Sequence, residues 1–120
     1  MTNHSRLHRR AIEKIASHPE KFNFGFNFRD IVSIAIEQML LDHGRSVAEP
    51  DVVFELRSHE IHVIEYKGKG NGELLERAKK QLEQAASWYG RYRPDIPLEK
   101  IHTYIISGDD SKYKDLLRGM

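Results

Sequence analysis

The stretch that decides the fold is residues 51–72, DVVFELRSHEIHVIEYKGKGNG. Its two apolar runs, 51–57 and 61–67, are rich in Val, Ile and aromatic residues, a composition typical of strands. Residues 58–60 form a short polar connection between these runs. The pattern therefore predicts an antiparallel hairpin whose second strand leads into a glycine-rich loop at 68–72.

The register of this hairpin decides which side chains share a face. A three-residue turn places Asp51 opposite Lys67 and Val53 opposite Glu65, so that Asp51, Glu65 and Lys67 lie on one face. Directly opposed positions are about 5 Å apart and diagonal positions about 7–8 Å apart, close enough for two carboxylates to bind one cation. A two-residue turn would move Asp51 to the other face.

These residue types suit metal-assisted chemistry on a phosphate. Mg²⁺ binds oxygen ligands, usually one or two carboxylates, several waters and a substrate phosphate. A lysine beside two carboxylates is favoured as the ammonium, which can neutralise a phosphoryl oxygen and orient water. We expect Asp51 and Glu65 to bind Mg²⁺ or Mn²⁺ and Lys67 to assist, less as a general base than as a positive charge. The alternative is a hairpin with polar residues on a solvated face.

Patterns outside the hairpin predict the remaining elements. The segment 28–43 is apolar on nearly every side, which predicts a buried helix begun by Asn27 and ended by Gly44. Before it, phenylalanines alternate with polar residues over 22–28, as in an extended segment. The strand 61–67 should form a βαβ unit with the helix and strand that follow it. The predicted elements are helices at 5–17, 28–43, 73–89 and 109–117 and a strand at 101–107.

A known family shares this arrangement. Glu-Pro-Asp at 49–51, Glu-Tyr-Lys at 65–67 and a following helix with Gln81 resemble the PD-(D/E)XK nuclease superfamily over about residues 30–107. The resemblance implies an α/β fold with a mixed sheet and a restriction-endonuclease-like core of helix, antiparallel hairpin, crossover helix and strand. It also implies a metal-dependent deoxyribonuclease.

The resemblance assigns roles to the central residues. By it, Asp51 and Glu65 are metal ligands, the main-chain carbonyl of Tyr66 is a further ligand, and Lys67 is the catalytic lysine. Many members also carry a glutamate on the first helix, and some carry a glutamine on the helix after the lysine.

Two residue types fit these supporting positions. Glu37 has apolar neighbours on its predicted helix, so its carboxylate needs a polar partner, and a metal ion could be that partner. The equally weighted alternative is that Glu37 lies on an exposed edge of this helix. Glu13, on the earlier predicted helix, is a rival. At 100° per residue, Gln81 lies about 80° from the centre of the apolar stripe and flanks the core, whereas Gln84 lies about 140° away in solvent.

One domain accounts for the length of 120 residues. The family usually has a strand between the first helix and the aspartate strand, and only two short segments are available for it, 45–49 or 22–28. The expected parts are an N-terminal helix and aromatic segment at 1–29, the core at 30–107 and a C-terminal helix at 108–120.

Charge is unevenly distributed along the chain. Residues 30–65 hold two basic and eight acidic side chains, whereas residues 66–93 hold seven basic and three acidic ones. An acidic centre beside a basic segment suits a metal site with anion-binding walls, although ordinary charged surface has the same composition. Lys69, Arg77 and Lys79 are therefore expected to contact nucleic acid, most simply DNA. A homodimer would help so small a domain to hold a duplex.

Composition excludes several classes of protein. The chain has no cysteine, which rules out disulfides and thiolate zinc sites and fits a cytosolic setting. Neither a signal peptide nor a membrane span is predicted, and no motif for a small-molecule cofactor is found. The seven histidines match no zinc-finger spacing, and His62 is expected on the apolar face of the hairpin as a core histidine.

Overall fold

The computed structural model describes residues 6–118, which form a mixed α/β fold of three helices and six strands. None of the helices in this part of the chain has the length and apolar character that a membrane crossing requires. The helices are α1 (Arg6–Ser17), α2 (Gly72–Tyr92) and α3 (Ser111–Arg118), and the strands are β1 (Ile31–Ile36), β2 (Leu40–Asp42), β3 (Arg45–Ala48), β4 (Val52–Leu56), β5 (Ile61–Lys67) and β6 (Ile101–Ser107).

Four of the strands form one mixed sheet in the order β1-β4-β5-β6. Strands β1, β4 and β5 are antiparallel neighbours, and β6 lies parallel to β5. The parallel pair is joined through α2, so the predicted βαβ unit is confirmed. Strands β2 and β3 form a separate two-stranded hairpin. The indole N–H of Trp88, in α2, donates a hydrogen bond to the Leu41 carbonyl of this hairpin (2.9 Å) and so links the hairpin to α2.

Both faces of the central strands β4 and β5 are buried, because α1 covers one and α2 the other. Residues of β4 and β5 alternate between the two faces, as side chains of a strand must. The α1 face contains Ala11, Ile12, Ile15, Val52, Phe54, Leu56, Ile64, Tyr66 and Ile106. The α2 face contains Leu40, Val53, Ile61, Val63, Leu82, Ala85 and Tyr89. Burial on both faces explains why the two central strands read as nearly continuous apolar runs.

The predicted helix at 28–43 is wrong. The segment instead forms β1, a bend and β2, and His43 and Gly44 make the tight turn into β3 with φ of 52° and 79°. Two successive positive φ values are typical of a type I′ hairpin turn. Asn27 begins only a single 3₁₀ turn, Phe28–Asp30. The β-branched residues of the segment favour a strand, and they outweigh the all-round apolar pattern that suggested a helix.

The predicted register of the hairpin is also wrong, by two residues. Val52 pairs with Ile64 rather than with Tyr66, because the Leu56 N–H bonds to the Glu60 carbonyl (2.9 Å) and closes a three-residue loop at 57–59 instead of 58–60. A shift of two keeps every side chain on its predicted face. Asp51 therefore lies beside Glu65 instead of Lys67.

The phenylalanine segment packs within the chain rather than forming a strand. Asn23 and Gly25 have positive φ values, 58° and 86°, which interrupt an extended backbone. The side chains of Phe22, Phe24 and Phe26 nevertheless stack in series, with ring centroids about 6 Å apart (6.1 and 5.8 Å). They complete the core on the α1 face, as the alternation of aromatic and polar residues indicated.

A capping interaction begins α2 and gives a test of the fold. The Asn71 side-chain oxygen accepts a hydrogen bond from the Leu74 N–H (3.0 Å). We expect Asn71→Ala to lower the free energy of unfolding by about 1 kcal/mol in urea denaturation, and Asn71→Ser to retain most of it. Gln84→Ala, at an exposed position of the same helix, is the control; equal losses in the alanine variants would contradict a capping role.

Candidate metal centre

Asp51 and Glu65 are held together at the centre of the molecule. Each residue is only 3 % exposed. The Asp51 N–H donates to Glu65 Oε1 (3.0 Å), and the Tyr66 N–H donates to Asp51 Oδ2 (2.7 Å). Main-chain donors thus fix both carboxylates at the place where β4 begins and β5 nears its end. The two acids that the sequence singled out therefore lie side by side.

This proximity is electrostatically costly. Burial, and then the neighbouring Asp51 carboxylate, raise the pKa of Glu65 to about 8. The Lys67 ammonium opposes this rise only in part. Two buried carboxylates without a cation favour protonation of one of them. A bound divalent cation would relieve the repulsion, so this donor set fits the Mg²⁺ or Mn²⁺ that the sequence predicts.

His8 is a potential ligand that the sequence reasoning missed. Its Nε2 lies 3.2 Å from Asp51 Oδ1, and its ring packs edge-on against that of Tyr66 with centroids 5.5 Å apart. The signal was present, because His8 precedes the buried residues Ala11, Ile12 and Ile15 by three, four and seven positions and so lies on the face of α1 that contacts the sheet.

Glu37 reaches the same place by a different route from the one predicted. It follows β1 with a φ of 51°, and its N–H donates to the Asp51 carbonyl (3.0 Å). Its carboxylate pairs with Arg9 of α1. One ligand atom from each of His8, Glu37 and Asp51 lies within 4.8 Å of the others. Strand pairing, and not a helix, therefore brings Glu37 to the centre.

The rival residue Glu13 does not join this cluster. Its side chain is 53 % exposed and lies near Arg9 on the surface of α1 (3.3 Å). Helix α1 is the first helix of the fold, yet the residue that it directs at Asp51 is His8. Of the two glutamates that the sequence left open, only Glu37 lies next to Asp51.

Lys67 and Tyr66 end strand β5. Lys67 is half-buried and pairs with Ser107 across the parallel ladder, and its charge acts on the Glu65 carboxylate. The Tyr66 side chain is buried on the α1 face, while its N–H is bonded to Asp51. A metal-ligand role for the Tyr66 carbonyl stays a prediction.

Gln81 contacts the segment before Asp51, as its predicted boundary position allows. Its Oε1 accepts a hydrogen bond from the Glu49 N–H (3.1 Å), which ties α2 to the start of β4. Gln84 is exposed, as predicted. By holding the Glu49 main chain, Gln81 helps to fix Asp51, which lies two residues further along the chain.

The residues predicted to contact nucleic acid lie on the surface of the molecule. Lys69 is exposed in the loop that follows Lys67. Arg77 and Lys79 are exposed on α2, where they pair with acidic residues of the same helix: Arg77 with Glu73 at 2.9 Å, and Lys79 with Glu76 at 3.7 Å. Exposed pairs of this kind are weak, so a phosphate could replace either acidic partner.

Comparison with known proteins adds no relative. The chain matches no protein-family model and no curated protein, and no solved structure matches it. Assignment of a function consequently depends on the residues of the metal centre and their geometry.

Proposed function

We propose that this protein is a divalent-metal-dependent nuclease that hydrolyses phosphodiester bonds in DNA. The observation that carries the proposal is the buried pair Asp51 and Glu65. Lys67 lies two residues after Glu65 in strand β5. Apart from the inserted β2–β3 hairpin, the order of helix, strand, antiparallel hairpin, crossover helix and strand supports the proposal, since this is the order expected for a PD-(D/E)XK core. Strand β1 would then be the strand that the family usually has before the aspartate strand, and it lies in neither of the segments, 45–49 and 22–28, that the sequence offered for it.

The residues divide into ligands and assisting groups. Asp51 and Glu65 would hold the metal, with Glu37 and His8 next to Asp51 as further donors. When bound, a divalent cation lowers the pKa of a water molecule and neutralises charge on the phosphoryl oxygens. The Lys67 ammonium, at the end of β5, orients the attacking water and stabilises negative charge that develops on the phosphate.

Two other groups keep this arrangement in place. Gln81 holds the Glu49 N–H and thereby fixes the chain that leads into Asp51. Arg9 pairs with Glu37 and limits where its carboxylate can lie. Both act through a neighbour, so they are positioning residues. Catalysis depends on such support, because small displacements of reacting groups cost large factors in rate.

The DNA would contact the exposed side chains of Lys69, Arg77 and Lys79. These side chains follow Lys67 along the loop and α2, so a phosphate backbone that reached the metal centre could continue past them. Contacts of this type are independent of sequence and weaken with salt. A homodimer, expected from the small size of the domain, would extend the surface along a duplex.

One observation favours a second function, a non-catalytic nucleic-acid-binding or dimerising module on the same fold. Both acids already accept main-chain hydrogen bonds across the hairpin, as a purely structural clasp would. A structural clasp, however, gains nothing from placing two carboxylates where one must be protonated. The two functions differ in whether metal binding depends on Asp51.

The first test is DNA cleavage by wild type and Lys67→Ala. We expect nicking of supercoiled DNA or degradation of single-stranded DNA with Mg²⁺ or Mn²⁺, none with chelator, and a rate about 10²–10³-fold lower in the variant. Lys80→Ala, at an exposed position of α2, should cleave like wild type. Equal rates in Lys67→Ala and wild type would exclude the assigned role, and absence of both cleavage and Asp51-dependent metal binding would favour the non-catalytic module.

A further inference from the structure

A second cluster of potential metal ligands lies elsewhere on the sheet and is unused by the proposed nuclease. His62 of β5 and His102 of β6 are paired neighbours in the parallel ladder, and Glu60 precedes β5. One ligand atom from each of these three residues lies within 4.8 Å of the others. Two imidazoles and one carboxylate are a ligand set typical of zinc with one position left for water.

The distances in this cluster suit a bound metal better than direct hydrogen bonds. Glu60 Oε1 lies 3.3 Å from His62 Nε2 and 3.3 Å from His102 Nε2. Hydrogen bonds between a charged imidazole and a carboxylate are shorter, about 2.7–2.9 Å. Ligand atoms around a tetrahedral Zn²⁺ with bonds of about 2.0–2.1 Å are separated by about 3.3 Å. The two separations from Glu60 Oε1 therefore match the spacing that a tetrahedral zinc would impose.

The surroundings orient two of the three ligands. His62 is 3 % exposed, and its Nδ1 lies 2.7 Å from the Tyr104 hydroxyl. With Nδ1 donating to that oxygen, Nε2 presents a lone pair to the cluster. Ser58 Oγ donates to Glu60 Oε2 (2.9 Å), which leaves Oε1 for the metal. Partners of this kind behind the ligands are a regular feature of metal sites.

Access and ligand type also favour metal binding. The side chains of His102 and Glu60 are 39 % and 31 % exposed, which gives an ion a path from solvent. Imidazole ligands favour Zn²⁺ over the hard cations Mg²⁺ and Mn²⁺.

We propose that Glu60, His62 and His102 form a Zn²⁺ site that links the β4–β5 loop to β5 and β6. The site is separate from the metal centre at Asp51 and does not depend on nuclease activity. It uses histidines on adjacent strands rather than a short spacing in sequence, which is why no zinc motif can be read from the chain. Its bound ion would stabilise the folded state, because unfolding separates the ligands.

Calorimetric titration of the metal-free full chain with Zn²⁺, in excess Mg²⁺, tests the proposal. Wild type should bind one Zn²⁺ at this site, and His102→Ala and Glu60→Gln should each lower the affinity by at least about 100-fold. The removal of a half-exposed histidine and the exchange of a carboxylate for its amide should leave the fold intact. Zn²⁺ should also raise the melting temperature of wild type more than that of either variant.

Two controls identify the site that binds. His43→Ala removes an exposed histidine of the β2–β3 turn, whose side chain is 82 % exposed, and should keep wild-type affinity. Asp51→Asn should do the same, even if it abolishes DNA cleavage. Failure of wild type to bind Zn²⁺, or unchanged affinity in His102→Ala and Glu60→Gln, would overturn the proposal. A loss of Zn²⁺ binding in Asp51→Asn alone would move the ion to the other centre and overturn it equally.

Discussion

Replacement of Asp51 by asparagine is expected to lower the rate of metal-dependent DNA cleavage by at least about 10³-fold. The amide keeps an oxygen that can accept the Tyr66 N–H, so the hairpin should fold as in wild type. It removes the negative charge that a divalent cation requires from its principal ligand. The measurement is the cleavage rate with Mg²⁺, together with a calorimetric titration of Mg²⁺ or Mn²⁺, whose binding should be lost.

Asp115→Asn is the matched control, because Asp115 is an exposed carboxylate on α3. It should retain the wild-type rate and metal affinity. Circular dichroism of both variants would show that neither loses its secondary structure. Wild-type cleavage by Asp51→Asn would exclude Asp51 as a metal ligand and, with it, the proposed chemistry.

The second large effect concerns stability and pH in the absence of metal. Burial and Asp51 raise the pKa of Glu65 from 4.5 to about 8, so between these values the folded chain binds a proton that the unfolded chain releases. The free energy of unfolding must therefore fall as pH rises through this window. At about 1.4 kcal/mol per pH unit, we expect a loss on the order of 2–4 kcal/mol between pH 5 and 8.

Glu65→Gln mimics the protonated acid and should not suffer this loss. Urea denaturation in chelator should show wild type and Glu65→Gln diverging as pH rises, with the variant more stable at pH 8. Glu55→Gln is the control, because the hydrogen bond from Arg93 lowers the pKa of Glu55. The stability that ionised Glu55 contributes is fully present above the pKa of this group in the unfolded chain, so it stays constant over pH 5–8. Parallel curves for wild type and Glu65→Gln would contradict the assigned cause.

The sequence predicted most of the elements that local pattern alone determines. Strands β4, β5 and β6 and helices α1 and α2 lie where amphipathic periodicity and flanking Gly or Pro placed them. It failed at 28–43, where an all-round apolar pattern is compatible with either a helix or strands. The hairpin turn depends on a positive φ at His43. A histidine in the sequence gives no strong indication of that conformation, so the turn looked like the end of a helix.

The residues of the candidate site could be named from the sequence, but their geometry could not. Asp51, Glu65 and Lys67 could be named because acid and lysine at strand ends form a recognisable pattern. The partner of Asp51 could not be predicted, because it depends on the main-chain bond from Leu56 to Glu60 that closes the loop between β4 and β5. His8 and Glu37 come from distant parts of the chain, and only tertiary packing brings them to Asp51.

The contacts of Asp51 have a consequence for the order of events during synthesis and folding. Asp51 is bonded to residues 43 positions before it and 14 and 15 positions after it, so its environment closes two long segments at once. A nascent chain that ends before β5 cannot contain this environment, and the β4–β5 hairpin alone cannot supply the contact with His8. Contacts of such sequence separation form late and cost the most chain entropy. Appearance of the metal centre thus reports that α1, β1 and the β4–β5 hairpin have assembled.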